Sequence, residues 1–390
     1  MTESRNQAVI VGVGESTYAK WGGSAGRSQF ALACEAILNA AADAGLPPSA
    51  IDGFASFSDD ANDPSRLMIA LGIDQLRFAS MVWGGGGGGS CGALAHAAAA
   101  VESGQATAVA VFRGLCQGQS FRFGQYHAWS PDAAFTAPFG LFAPAQMFAL
   151  LARRHMHLYG TTSEQFAEVA MVCRDNAQRN PRAVMHGRPL TLAEHQASRM
   201  IADPLRLYDC CLESDGAAAV IVTTAARARD LKSRPVHVLA AQQGSSKGWG
   251  SGMLGAHNMP DEIYASGNAR AMAGEMFARA GVRPDEIDVA QLYDAFTATV
   301  VFSLEDYGFC GVGEGGPFAA DGNLRWPNGR LPVNTSGGNL SEAYIHGFNL
   351  VVEGVRQLRG ESTSQVQDAR LCLVSGGESV TPTSAAILGV

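Results

Sequence analysis

Apolar positions along the chain fall into short blocks that alternate between two periods. A continuous apolar run at residues 8–13 has strand length, and residues 30–43 place apolar side chains every three to four positions, as one face of a helix does. Ala44-Gly45-Leu46-Pro47-Pro48-Ser49-Ala50-Ile51-Asp52 then ends that helix and leads into a short strand-like run. The order recurs: a strand at 236–240, a helix at 268–279, and Ala280-Gly281-Val282-Arg283-Pro284-Asp285-Glu286-Ile287-Asp288, which shares Ala-Gly-x-x-Pro-x-x-Ile-Asp with the first copy at an offset of 236 residues. Each half continues with a glycine cluster, Gly84 to Gly89 or Gly337-Gly338. An apolar helix (90–102 or 345–358), a strand (107–112 or 369–374) and another glycine turn follow.

The pattern predicts two duplicated βαβαβ halves, residues 1–234 and 235–390, with mostly parallel sheets sandwiched by helices. Residues from about 114 to 203 lack clean periodicity and read as a loop excursion of the first half, of a size that usually covers a ligand site. A strand at 214–222 returns to the core, and residues 223–235 read as a helix plus connection.

Composition narrows the function classes. Charged residues make up 16% of the chain and the net charge is -8, so no broad basic face exists for nucleic acid or anionic lipid. The longest apolar run, around 93–101, is about half of what a bilayer span needs. The polar start, with Glu3 and Arg5, lacks a signal-peptide pattern, and a cytoplasmic location is expected. Eight cysteines form no CxxC pair and no ligand spacing with histidine, so neither disulfides nor a metal site is expected. The glycine run at 84–89 lacks the Lys-Ser/Thr of a P-loop, and Gly12-x-Gly14 lacks a third glycine, which argues against nucleotide binding.

Specific strings carry a family resemblance. Ala202-Asp203-Pro204-Leu205-Arg206-Leu207-Tyr208-Asp209-Cys210-Cys211, followed by Ser214-Asp215-Gly216-Ala217, resembles the thiolase branch of sterol carrier protein X. Leu292-Tyr293-Asp294-Ala295-Phe296 stands where that family has Asn-Glu-Ala-Phe or His-Asp-Cys-Phe. Asn334-Thr335-Ser336-Gly337-Gly338 matches its Asn-Pro-Ser-Gly-Gly lead-in. The resemblance covers essentially the whole chain and implies the thiolase fold, α/β in five α-β-α-β-α layers, and the homodimer usual for it.

The family's catalytic set is absent at its matching positions. The nucleophilic Cys falls on Gly87, the catalytic His on Tyr344, the Asn on Tyr293, and the second Cys on Leu373 or Val374. Cys91 lies one turn inside its helix and reads as a buried structural thiol, and His346 lies two residues past the family position. This pattern is similar to the lipid-transfer-protein-like steroid aldolases, which implies retro-aldol cleavage of a β-hydroxyacyl-CoA. A steroid side-chain thioester would then give a ketone and a short acyl-CoA such as propionyl-CoA, with no cofactor beyond the substrate's own CoA.

Under that resemblance Tyr344 or Tyr293 takes the hydroxyl proton and the other phenol protonates the thioester enolate, one of them assisted by Asp294, His346 or water. Backbone N–H groups at Gly87, Ser375 and Gly376 hold the enolate. Arg153, Arg154, Arg182 and His186 are candidates for the CoA diphosphate. Phe121, Phe123, Tyr126, Trp129, Phe135 and Phe139 line a substrate tunnel or pack at the dimer interface, and His127, His155, His157 and His195 read as loop or interface residues. A small companion protein with an OB-like domain is also implied. Two alternatives stay open: a thiolase using Cys91 and His346 in a shifted register, and a non-catalytic acyl-CoA-binding subunit.

Overall fold

A computed structural model of the chain describes residues 7–58, 60–119, 136–246, 266 and 268–390. The first half supplies strands β1 (Ala8–Glu15), β2 (Gly53–Phe57), β3 (Phe78–Val82), β4 (Ala108–Cys116) and β5 (Ser214–Thr224). Its helices are α1 (Gln29–Ala44), α2 (Pro64–Ala70) and α3 (Ser90–Glu102), then α4 (Pro144–Tyr159) and α5 (Ser163–Arg179) within the excursion. The second half adds β6 (Val236–Gly244), α6 (Arg270–Ala280), β7 (Val289–Gln291), α7 (Thr297–Asp306), α8 (Gly338–Ser341), α9 (Phe348–Arg359), β8 (Leu371–Gly376) and β9 (Thr383–Gly389).

These strands hydrogen-bond along one path, β7-β8-β9-β6-β1-β5-β4-β2-β3, within a ten-stranded sheet. The two halves meet where Val9 and Ile10 of β1 pair with His237 and Val236 of β6. The sheet is mixed, which corrects the expectation of mostly parallel strands. Parallel pairing is confined to β2 with β3 and β4, and β7 with β8. The reason is connectivity. A parallel neighbour needs a crossover of a dozen or more residues, whereas β8 and β9 are joined by residues 377–382 and must run antiparallel. Strands β3 and β9 and helix α2 had no distinct signal in the sequence pattern.

The repeat has one physical meaning in both halves. Gly45 and Gly281 end α1 and α6 in the left-handed conformation, and Ile51 and Ile287 are buried. Asp52 accepts hydrogen bonds from the backbone N–H groups of Thr107 and Ala108, at 2.9–3.0 Å. Asp288 accepts from Arg370 and Leu371 at 2.8 and 2.9 Å. Each aspartate thus pins the start of a neighbouring strand in the sheet, β4 beside β2 and β8 beside β7. Helix α3 is alanine-rich because it is enclosed, with strands β2, β4, β5, β6 and β9 all packed around it.

From residue 136 to 203 the excursion is structured, contrary to its aperiodic sequence. Helix α5 opens on a capping box in which Thr162 and Gln165 satisfy each other's backbone N–H groups. Its inner face carries polar side chains that grip residues 333–342. Asn176 donates to the carbonyls of Val333 and Asn334, Asn180 to Ser336, and Arg174 to Ser341 Oγ. Side chains bonding a distant backbone leave no periodic apolar trace. Among the described residues, no helix is long and apolar enough to cross a membrane, and no group of His, Cys, Asp or Glu is placed to hold a metal ion.

Candidate active site

Tyr293 leaves β7 in an irregular segment whose backbone is held at both ends. Its N–H donates to Ser375 Oγ at 2.9 Å, and its carbonyl accepts from Thr299 Oγ1 at 2.7 Å. Tyr344 lies between α8 and α9, with Ser214 on its backbone: the Tyr344 N–H donates to Ser214 Oγ at 2.8 Å, and that hydroxyl donates back to the Tyr344 carbonyl at 3.2 Å. So fixed, the two phenol oxygens stand 2.8 Å apart, with the side chains almost fully buried.

Two glycines make room for the Tyr293 ring. A Cβ at Gly87 would stand 2.1 Å from ring carbon Cε2, and one at Gly347 2.6 Å from Cδ2. The ring therefore occupies the space into which a side chain at residue 87 would project. The Gly87 N–H donates to the Tyr293 phenol oxygen at 3.1 Å. This amide, expected to bind an enolate, is engaged by the phenol instead. The glycine cluster is a seat for Tyr293.

Burial pushes both phenols above their ordinary ionisation range. For Tyr293 the Tyr344 hydroxyl and the Gly87 amide oppose that rise. For Tyr344 burial is reinforced by Tyr293, and the Arg113 guanidinium opposes it. The pair is therefore asymmetric: negative charge is better tolerated on Tyr293. Arg113, on β4 and 4% exposed, was not anticipated from sequence; it donates to the Phe57 carbonyl at 2.7 Å and pairs with Asp60 at 3.3 Å.

His346 stands edge-on to the Tyr344 ring, with centroids 5.2 Å apart and planes at 81°. Burial, with Arg113 adding to it, depresses its pKa well below the ordinary range, so it is a neutral imidazole. It also adopts the left-handed backbone conformation, φ 50°, in the turn that brings Gly347 against Tyr293. Asp294 does not reach the phenols: its carboxylate accepts from the Asn339 and Leu340 N–H groups, at 2.8 and 3.1 Å, and from the Cys173 thiol at 3.5 Å. Burial raises it to about 6 although those amides stabilise its charge. Its place is at the start of α8, where it positions the segment leading to Tyr344.

Ser375 and Gly376 are the last residues of β8, paired in the sheet with Ala385 and Ser384. Of the four proposed CoA-binding side chains, Arg153 and Arg154 lie on α4, and Arg182 and His186 follow α5. Arg153 pairs with Asp203 at the surface, and His186 Nδ1 is 3.4 Å from the Ala177 carbonyl. Arg182 pairs with Glu15 at 3.5 Å and lines a pocket of about 720 Å³ with Tyr18, Lys20 and Arg356, which neither phenol lines. Arg154 is half-buried on α4. Phe139 is exposed, whereas Phe121, Phe123, Tyr126, His127, Trp129 and Phe135 lie outside the described residues. His155 and His195 are buried against Glu305 and Asp209, at 2.9 and 3.0 Å.

Cys91 is fully buried in α3, with burial pushing its thiol up to about 12. Its N–H is bound by Ser384 Oγ at 3.1 Å. A thiol so placed is not a ready nucleophile. Cys372 is buried within β8.

Residues 252–390 match the thiolase C-terminal domain-like family. Over 392 aligned residues the chain is 44% identical to the 17-hydroxy-3-oxo-4-pregnene-20-carboxyl-CoA lyase of Mycobacterium tuberculosis, covering 98% of this chain and 99% of the relative. The chain belongs to the steroid side-chain-cleaving aldolases of the thiolase superfamily. A second member, the steroid side-chain-cleaving aldolase of Thermomonospora curvata, is 44% identical over 98% of this chain and 97% of its own. The solved Ltp2-ChsH2(DUF35) aldolase superposes with a TM-score of 0.92 at 43% identity, over 99% of this chain and 98% of that one. The fold is thus the thiolase fold.

Proposed function

We propose that the protein is a carbon–carbon lyase that cleaves a β-hydroxyacyl-CoA on a steroid side chain by retro-aldol chemistry, giving a ketone and a short acyl-CoA such as propionyl-CoA. The observation that carries the reading is the phenol pair at 2.8 Å, seated on a glycine where a side chain would otherwise project. The names of the two relatives point to the same substrate class.

Tyr293 serves as the base, because Gly87 N–H and the Tyr344 hydroxyl stabilise charge on its oxygen. It takes the β-hydroxyl proton. The electron pair of that O–H bond forms the ketone C=O, and the pair of the carbon–carbon bond passes to the thioester enolate. Tyr344 then returns a proton to the enolate carbon. His346 and Arg113 flank Tyr344, and Asp294 sets its position. No acyl-enzyme forms, so no thiol is called on, and the reaction needs no cofactor beyond the CoA of the substrate. The enzyme works as a homodimer with a small OB-like companion protein, in keeping with the complex in which the solved relative is found. Arg153, Arg154, Arg182 and His186 remain the candidates for the CoA diphosphate.

The test is incubation with a β-hydroxy steroid side-chain CoA thioester, alone and with an OB-like companion, with ketone and short acyl-CoA read by chromatography. Both products, lost in Tyr344→Phe and Tyr293→Phe but retained in Cys91→Ala, support the reading. Binding of acyl-CoA without products under either condition would make the chain a non-catalytic subunit.

A further inference from the structure

A cavity of about 720 Å³ opens at the end of β1, walled by α1, by residues 181–184 after α5 and by Arg356 of α9. Small-molecule sites usually have volumes of about 300–1,000 Å³. The retro-aldol scheme leaves this one unused, and neither phenol lines it.

Its walls divide by polarity. Val13, Pro181 and Val184 supply an apolar side, and Lys20, Arg182 and Arg356 supply cations. Two carboxylates share the lining, and each is already engaged. Glu15 is held by Arg356, by Arg182 Nε at 3.5 Å and by the Tyr18 hydroxyl, which donates at 2.7 Å. Glu35 is paired with Arg27. With Arg27 included, four cations stand against two carboxylates at the cavity. Two buried acids, Glu342 and Glu353, also feel the charge of Glu15. Burial raises both, Glu342 to about 8, so at neutral pH Glu342 is uncharged and the cations stay in excess even with Glu353 ionised. Arg356 also keeps its Nη1 buried without a hydrogen-bond partner among the described residues, a deficit that an anionic oxygen meets.

A phosphoryl group carries about −1.5 to −2 charges near neutral pH and presents three acceptor oxygens, which suits this excess better than a single carboxylate does. We propose that the cavity binds a phosphorylated small molecule, its phosphoryl group on Lys20, Arg182 and Arg356 and its uncharged body against Val13, Pro181 and Val184. The volume calls for a body of nucleotide size, since a phosphate ion alone would leave most of it empty. Such a group has two sources, the nucleotide end of the substrate's own CoA or a free nucleotide. Only for the first does the inference rest on the CoA-thioester reading. The wall is joined to the catalytic segment, because Lys20 pairs with Ser214 of β5, whose hydroxyl bonds both backbone groups of Tyr344.

The experiment is equilibrium dialysis of the full chain at neutral pH and low salt against labelled AMP, CoA, inorganic phosphate and succinate. AMP should bind more tightly than phosphate, because it adds the body, and more tightly than succinate, because it adds the phosphoryl group. Lys20→Gln and Arg182→Gln should each raise the Kd for AMP by about three- to tenfold, with the effect shrinking as salt is added and with Lys20→Arg close to the unmodified chain. Both side chains are exposed, so neither substitution opens the core. Tyr344→Phe should leave AMP binding unchanged. Displacement of AMP by CoA assigns the site to the substrate's nucleotide end, and simultaneous binding of the two assigns it to a free nucleotide. The proposal is overturned if neither AMP nor CoA binds, if both glutamine variants keep the unmodified Kd, or if succinate binds as tightly as AMP. Cleavage of the steroid thioester without any binding of AMP or CoA that depends on Lys20 sinks this proposal alone. Lys20-dependent AMP binding by a chain that cleaves no thioester, with or without the companion, sinks the aldolase reading alone.

Discussion

Adding one methyl group at residue 87 tests whether the glycine seat is what makes the phenol pair. In Gly87→Ala the new Cβ meets Tyr293 Cε2 at 2.1 Å and Cζ at 2.6 Å. Ordinary van der Waals contact begins near 3.4 Å, so ring or backbone must shift by about 1.3 Å. The ring cannot rotate freely away, because Gly347 already approaches its Cδ2 edge and the Tyr293 backbone is bound by Ser375 and Thr299. The shift therefore falls on the hydroxyl contacts, 3.1 Å to Gly87 N–H and 2.8 Å to Tyr344. Misplacement by about 1 Å costs on the order of 100-fold in rate, and overpacking about 1–3 kcal/mol in stability. The assay is kcat for release of ketone and acyl-CoA, with a thermal melt alongside. Gly274→Ala is the control: its Cβ meets nothing within 4 Å on helix α6, so the variant should gain up to about 1 kcal/mol. A Gly87→Ala enzyme within about threefold of normal kcat refutes the steric argument and, with it, the seat.

Three further outcomes follow from the same geometry. Tyr293→Phe and Tyr344→Phe should each lower kcat by about 10²–10⁴-fold with little change in melting temperature, whereas Cys91→Ala should keep turnover at pH 7; steady-state kinetics decide it. Asp288→Ala removes the acceptor for two strand-initiating N–H groups and should cost about 1–3 kcal/mol in a denaturant titration while sparing kcat, because the pinned strand start lies at the opposite end of β8 from Ser375. Glu342 is raised to about 8, first by burial and then by Glu15 and Glu353. A carboxyl raised on folding stabilises most below its unfolded pKa, and that stability is lost as pH climbs through 8. The melting temperature should therefore fall between pH 5 and 9, and Glu342→Gln should flatten the fall; an unchanged slope would contradict it.

Much of the architecture was legible in the chain because it rests on local rules. Strand and helix periods, the glycines that end α1 and α6, and a nine-residue repeat are short-range signals, and they located most of the elements that bear the site. The mixed sheet was less legible: direction follows from which strands pair, and the brief link between β8 and β9 carries no label for it. Helix α5 was invisible for a related reason, as its inward Asn and Arg side chains are spent on the distant backbone of residues 333–342. The family resemblance brought Tyr293 and Tyr344 forward as candidates from positions 51 residues apart. Their contact depends on two distant segments of the second half meeting in space, and the use of Gly87 N–H by a phenol on the two halves meeting.

By itself, then, the amino-acid order determined the recurring strand-helix order with its glycine turns, and through the family resemblance it put forward Tyr293 and Tyr344 as candidates. Only tertiary structure decided the roles within that set. Asp294 was drawn to the amides of Asn339 and Leu340, and Arg113 was buried near Tyr344. The physical reason is that charge and proton affinity are set by desolvation and by neighbours distant in sequence, and no local pattern encodes either.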